Sequence, residues 1–165
     1  MSNEREQIAQ RQAKLDELRR LGVAPYPNRF DRSATIGAVV AEYGGQAGDA
    51  LEASKPVVRA AGRILGIRGF GKANFLVLSD GLARIQVYVR EDSLGARDFQ
   101  IFKLLDFGDF IGVEGWLFRT KTNEFTIHAE RVHFLAKCLV PLPEKWHGLT
   151  DVEIRYRQRY LDLIV

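Results

Sequence analysis

The stretch Arg84-Ile85-Gln86-Val87-Tyr88-Val89-Arg90 alternates without a fault, with Ile85, Val87 and Val89 on one face and Gln86, Tyr88 and Arg90 on the other. A period of two over seven residues is the pattern of a strand with one buried side and one wet side. Upstream, Ala73–Ser79 is apolar and β-prone, and Val57–Leu65 alternates again. Gly66, Gly69 and Gly71 read as the turn between those two strands. Downstream, Asp109–Lys121 and Glu124–Phe134 read as a hairpin about Thr122-Asn123. Between them Phe99, Phe102, Leu104 and Leu105 give residues 98–105 the spacing of a helix.

Ahead of the strands, Asn3–Leu21 reads as an amphipathic helix. Asn3 and Glu6 stand as a capping box, Ile8, Leu15, Leu18 and Leu21 share a face, and Gly22 with Pro25 and Pro27 ends the run. A shorter helix is expected over Thr35–Tyr43, then a polar, Gly/Ala-rich loop over 44–55. The resulting order, β-β-β-α-β-β after an N-terminal helix, predicts a mainly β chain with flanking helices: a five-stranded OB-fold Greek-key barrel. Residues 1–55 are expected to form the N-terminal helical extension and 56–138 the barrel. Residues 139–165 read as a linker and first helix leading to a further domain, with Thr150 capping a helix over Asp151–Ile164. That run stops at Val165 without a closing turn, so a longer parent protein is expected.

Composition narrows the function. Of 165 residues, 46% are hydrophobic and 27% charged, enough for a folded core. No apolar run approaches the ~18 residues of a membrane helix, charge begins at Glu4, and the single Cys138 excludes an internal disulfide or a Cys-rich zinc site. A cytoplasmic, metal-free protein is expected, with no membrane partner. His128, His133 and His147 lack metal-ligand spacing, and the first two, at i and i+5 on one strand, are expected on opposite faces. Gly69-Phe70-Gly71-Lys72 lacks the spacing of a phosphate loop. Asp106 and Asp109 do not form an acid–base pair, so no catalytic residue is expected.

Net charge is only +3, but residues 56–90 carry Arg59, Arg63, Arg68, Lys72, Arg84 and Arg90 against one acid, Asp80. That balance suits a polyanion, but from charge alone it reads first as a solvated sheet face. The first three strands bring together Arg68, Lys72, Phe75, Gln86, Tyr88 and Arg90, the mixture of cations and aromatic plates that OB-folds offer to single strands. By spacing alone Phe75 reads as a core residue. The first helix crowds Arg5, Arg11, Lys14, Arg19 and Arg20 into one segment, either for sequence-independent phosphate contacts or as a salt-bridged surface.

Several runs resemble the anticodon-binding region of class II lysyl-tRNA synthetases and the segment that joins their two domains: GKANFLVLSDG (71–81), RIQVYVR (84–90), LLDFGDFIGVEG (104–115), FRTKTNEFTIHA (118–129), PLPEKWHGLTD (141–151) and RYRQRYLDLI (155–164). The resemblance is strong over the last two-thirds of the chain and looser over the first helix and PYPNRF (25–30). It implies a parent enzyme that activates lysine with ATP and Mg and transfers it to its tRNA, acting in the cytoplasm as a homodimer. Its catalytic motifs would follow these residues, which by themselves would be inactive and bind no cofactor. Their partner would be the anticodon stem-loop of the tRNA for lysine. Carried over residue by residue, Phe75 would stack on the central anticodon uridine and Arg68, Gln86 and Glu124 would bond its edge. Arg5, Arg11, Lys14, Arg19, Arg20 and Lys72 would then meet the tRNA backbone. Two positions depart from the family pattern: Val140 where arginine is usual, and Asn123 where glycine is usual in the hairpin turn. Asparagine tolerates positive φ, so the turn should survive. A freestanding OB module without base preference, or an oligomerisation module, would share the charge and aromatics but not the 141–164 run.

Overall fold

The computed structural model describes residues 2–142, 156–157, 159–162 and 164. Five strands, β1 (Val57–Phe70), β2 (Ala73–Ser79), β3 (Arg84–Arg90), β4 (Phe110–Arg119) and β5 (Phe125–Ala136), close into a barrel in the order β1-β2-β3-β5-β4. The expected OB-fold architecture is present. β2 and β3 fall where alternation placed them, and the inward set Ile85, Val87 and Val89 is buried.

β1 is longer than expected. It runs through Gly66 and Gly69, and only Gly71, at φ 69°, and Lys72 form the turn. The reason lies in its two partners. Val57–Arg63 pairs with β4, whereas Arg63–Phe70 pairs with β2, so one strand serves both neighbours and must bend between them. A bulge between Ile64 and Gly66 supplies that bend. The closing seam is short: β3 meets β5 in parallel through Gln86↔Thr126, Val87↔Ile127 and Tyr88↔His128 only.

A second bulge lies on β5. Gly115 faces Ala129, yet Glu114 faces Arg131, so Glu130 is the extra residue. The expectation that His128 and His133 occupy opposite faces is thereby overturned. The inserted residue shifts the alternation by one, and both histidines end half-buried on the outer face, opposite Trp116 and Gly112. Gly115 admits this close approach, because a Cβ there would sit 1.9 Å from the His128 carbonyl oxygen.

Helices cover the barrel. α1 spans Ser2–Arg20, so Asn3 lies inside its first turn instead of capping it. At its other end Gly22, at φ 74°, donates to Arg19 and Val23 donates to Leu18, the paired bonds of a Schellman stop. α2 (Ile36–Tyr43) starts at Thr35, whose hydroxyl accepts from Ala38 N–H. The stretch read as a loop over 44–55 contains a third helix, α3 (Gly48–Ser54). Its single large apolar residue, Leu51, is fully buried, and one residue cannot display a helical period in sequence. α4 (Glu91–Leu94) and α5 (Ala96–Lys103) occupy the β3–β4 connection, where Asp98 accepts from Arg131 Nε at 2.9 Å and from Val132 N–H at 3.2 Å. Leu15 and Leu18 of α1, Ile36 and Val39 of α2, and Leu51 join the strand residues in one core. Of the helix expected over Asp151–Ile164, one turn, α6 (Arg159–Asp162), is described; the Thr150 cap and residues 143–150 lie outside the described residues.

Candidate nucleic-acid interface

Pairing register brings three of the four expected base readers together. Arg68 of β1 lies opposite Phe75 of β2, which lies opposite Tyr88 of β3, all on the outer face. An open groove of about 610 Å³ is lined by Arg68, Phe75, Gln86, Tyr88, Phe118 and the hairpin residues 120–122. Phe75 is half-buried with its ring 5.0 Å from that of Tyr88, so it belongs to the groove wall and not to the barrel interior. Arg68, expected in a turn, is a strand residue, exposed and in no ion pair among the described residues.

Gln86 is held in one orientation. Thr126 Oγ1 donates to the Glu124 carbonyl at 3.0 Å, leaving a lone pair that accepts from Gln86 Nε2 at 3.1 Å. The Gln86 carbonyl oxygen therefore remains as an acceptor. Glu124 itself is exposed at the β4–β5 hairpin and does not line the groove, although its backbone N–H bonds Thr120, which does. The hairpin turns at Asn123, whose φ of 64° is the left-handed conformation that the family's usual glycine would adopt. Val140, the other departure, is exposed.

The tRNA-backbone candidates divide into two groups. Arg11 and Lys14 are turned toward the barrel: Arg11 Nη1 donates to the carbonyls of Phe107 at 3.0 Å and Cys138 at 2.5 Å, and Lys14 pairs with Asp106 at 2.5 Å. These bonds dock α1, which is a competing use for charges that sequence alone assigned to RNA. Arg5 and Lys72 are exposed, while Arg19 and Arg20 make solvent-exposed i,i+3 pairs with Asp16 and Glu17. Such pairs are weak enough for a phosphate to displace.

Sequence reasoning missed an aromatic row that only the register reveals. Phe75, Tyr88, His128 and Trp116 stand directly opposite one another on β2, β3, β5 and β4, with ring centroids 5.0, 5.3 and 4.6 Å apart. Trp116 and His128 are stacked at 10°. Burial pushes the His128 imidazole below its ordinary pKa, which favours the neutral ring. The row ends where Lys55 Nζ lies 5.2 Å from the Trp116 ring centroid.

Among the described residues no group of three or more His, Cys, Asp or Glu side chains could hold a metal ion, and no helix is long and apolar enough to cross a membrane.

The closed barrel carries its cations and stacked rings on one outer face, and residues 58–135 match the family described as tRNA anti-codon, OB-fold nucleic acid binding domain. The whole chain, in turn, matches the N-terminal region of lysine–tRNA ligases. It is 48% identical over 164 residues to the lysine–tRNA ligase of Anaeromyxobacter sp. (strain K), covering 99% of this chain and 32% of that protein. It is 49% identical over 162 residues to that of Thiobacillus denitrificans (strain ATCC 25259 / T1), covering 98% and 32%, and 49% identical over 158 residues to that of Azoarcus sp. (strain BH72), covering 96% and 31%. The chain thus spans about a third of the length of these relatives.

Proposed function

We propose that this chain reads the anticodon of a lysine tRNA on behalf of a ligase that attaches lysine to that tRNA with ATP and Mg, a cytoplasmic homodimer whose catalysis resides in the remaining two-thirds of the relatives' length. The groove that gathers Arg68, Phe75 and Gln86 carries the reading. Unpaired anticodon bases expose their edges and can be splayed onto aromatic plates. Uracil presents an N3–H donor between two carbonyl acceptors, so its reader needs both an acceptor and donors. The oriented Gln86 carbonyl supplies the acceptor, the Arg68 guanidinium supplies donors, and Phe75 supplies the plate. Glu124 would join them from the hairpin on closure over the base. Arg5, Arg19, Arg20 and Lys72 are the exposed cations for the backbone, and Arg11 and Lys14 serve it indirectly by holding α1.

The deciding experiment measures affinity for anticodon stem-loops that differ only at the central base, together with melting temperature. Phe75→Ala should weaken every stem-loop by ~1–3 kcal/mol, since stacking tolerates any base. Gln86→Ala and Glu124→Ala should narrow the gap between central uridine and cytidine, because a mismatched edge then leaves fewer polar groups unpaired. Loss of melting temperature in Phe75→Ala with RNA affinity unchanged, or equal affinity of the unaltered protein for all four central bases, overturns the reading.

A further inference from the structure

Beside the groove lies a second hollow, of about 370 Å³, between α3 and the β4–β5 hairpin. Trp116 and Phe118 form its apolar wall, and Asp49 and Glu52 of α3 rim the opposite side. Its size falls within the ~300–1,000 Å³ of small-molecule sites. Phe118, Thr120 and Lys121 line both the hollow and the groove, so a strand leaving one crosses a single shared crest into the other. Lys121, exposed on that crest, is placed to meet a phosphate of the strand that crosses it.

The hollow is braced. Arg119 donates from Nε to the Gln46 carbonyl at 2.9 Å, from Nη1 to the Asn123 carbonyl at 2.9 Å, and from Nη2 to the Gly44 carbonyl. One guanidinium thereby fastens the loop before α3 to the hairpin. His128 stacks on the Trp116 indole, Phe118 lies tilted against it with centroids 5.3 Å apart, and the exposed Lys55 ammonium lies over the ring. A flexible cation over a tryptophan is an occupant that an aromatic base can replace, after which the ammonium is free to pair with the base's own phosphate. The two carboxylates repel a phosphate from the hollow itself but accept N–H and amino donors from a base edge.

We propose that this hollow is a second nucleobase site, in which Trp116 stacks an unpaired base beyond the one held over Phe75 and Asp49 or Glu52 accepts from its edge. The inference rests on the RNA-binding reading of the groove and extends it from one base to a longer single-stranded tract, in keeping with the ~4–16 nucleotides an OB-fold can cover.

The test compares hepta-uridylate RNA with the dinucleotide UpU on the 165-residue protein. Three ring-to-ring steps separate Phe75 from Trp116, so the dinucleotide fills the groove without reaching the hollow. Trp116→Ala should weaken the heptanucleotide by about 5- to 150-fold, the range of one lost base stack, and leave UpU unchanged; Trp116→Phe should restore most of the loss. In a Trp146→Phe background, Trp116 emission should be quenched by the heptanucleotide and not by UpU. Equal heptanucleotide binding by the Trp116→Ala variant, or no change in Trp116 emission, overturns the second site while leaving the groove intact. Failure of the unaltered protein to bind either RNA overturns the groove and this inference together.

Discussion

Lys137 Nζ lies 2.8 Å from an Asp109 carboxylate oxygen with neither side chain exposed to solvent. Two ions removed from water at that depth persist only when the rest of their bonding is complete. Here it is complete: Lys137 also donates to Asp106 at 2.6 Å and to the Leu104 carbonyl at 2.7 Å, and Asp109 accepts from the N–H groups of Cys138 and Asp106. The network seals the barrel where the α5–β4 connection meets the end of β5. Replacing either partner alone, by Lys137→Met or Asp109→Ala, should cost ~3–5 kcal/mol in urea unfolding, because the survivor is a buried, unpaired charge. The double replacement should cost less than the two single costs together.

The same network makes stability depend on acid pH. Burial alone would raise the Asp106 carboxyl, but hydrogen bonds and charge from Lys137 and Lys14 outweigh it and hold the group below its ordinary value of 3.8. The folded pKa thus lies under the unfolded one. The stabilisation is whole above about pH 4 and is lost as pH falls through the folded value. Urea midpoints measured downward from pH 5 should therefore decline, and Lys14→Met should reduce the part of that decline due to Asp106. An identical pH profile in the variant would count against the pairing.

α1 is fastened by Arg11 as well as by Leu15 and Leu18. Arg11→Ala leaves two carbonyls without their charged donor, at ~1.5–3 kcal/mol for a hydrogen bond to a charged group. Thermal unfolding should register a drop of several degrees. The slope of log affinity against log salt for RNA should hardly move, whereas Arg5→Ala, which removes an exposed cation, should lower it by roughly 0.7–0.9 if that cation meets a phosphate.

Thr126 sets the Gln86 amide without touching the groove. Thr126→Val removes the hydroxyl that accepts from Gln86 Nε2 at nearly constant volume. The expected outcome is a stability loss of ~1 kcal/mol, the worth of one hydrogen bond, and weaker discrimination between central uridine and cytidine. Thr126→Ser should restore the discrimination. Stem-loop titrations of the two variants compare these outcomes directly.

Much of this architecture was legible because β2 and β3 each bury alternate residues, and alternation survives in the sequence whatever surrounds it. The Asn123 turn was legible for a similar reason: its conformation is a local property of one residue. What escaped was non-local. Glu130 inverts the facing of His133 only because β4 presents one residue to two, and Gly66 reads as a turn until its pairing with Val77 is known. Leu51 anchors a helix that its polar neighbours conceal. The groove residues could be named from resemblance, but the row from Phe75 to Trp116 exists only in register, and the diversion of Arg11 toward Phe107 and Cys138 only in packing.

The parallel seam between β3 and β5 gives the site a mechanical meaning. It joins the barrel through three residue pairs, one of them Gln86↔Thr126 and another Tyr88↔His128. The Gln86 amide and the middle of the aromatic row thus straddle the shortest closure in the fold, in the parallel arrangement that is slightly the weaker per residue. If the barrel breathes, its shortest seam is the one to open first, and every such opening parts Gln86 from Thr126 and Tyr88 from His128 together. RNA lying across the seam then works as a clasp: whatever free energy binding releases is added to the work of parting β3 from β5. If the proposed reading holds, amide hydrogen exchange at Val87 and Ile127 should slow when a stem-loop is bound, far more than at β1–β2 amides.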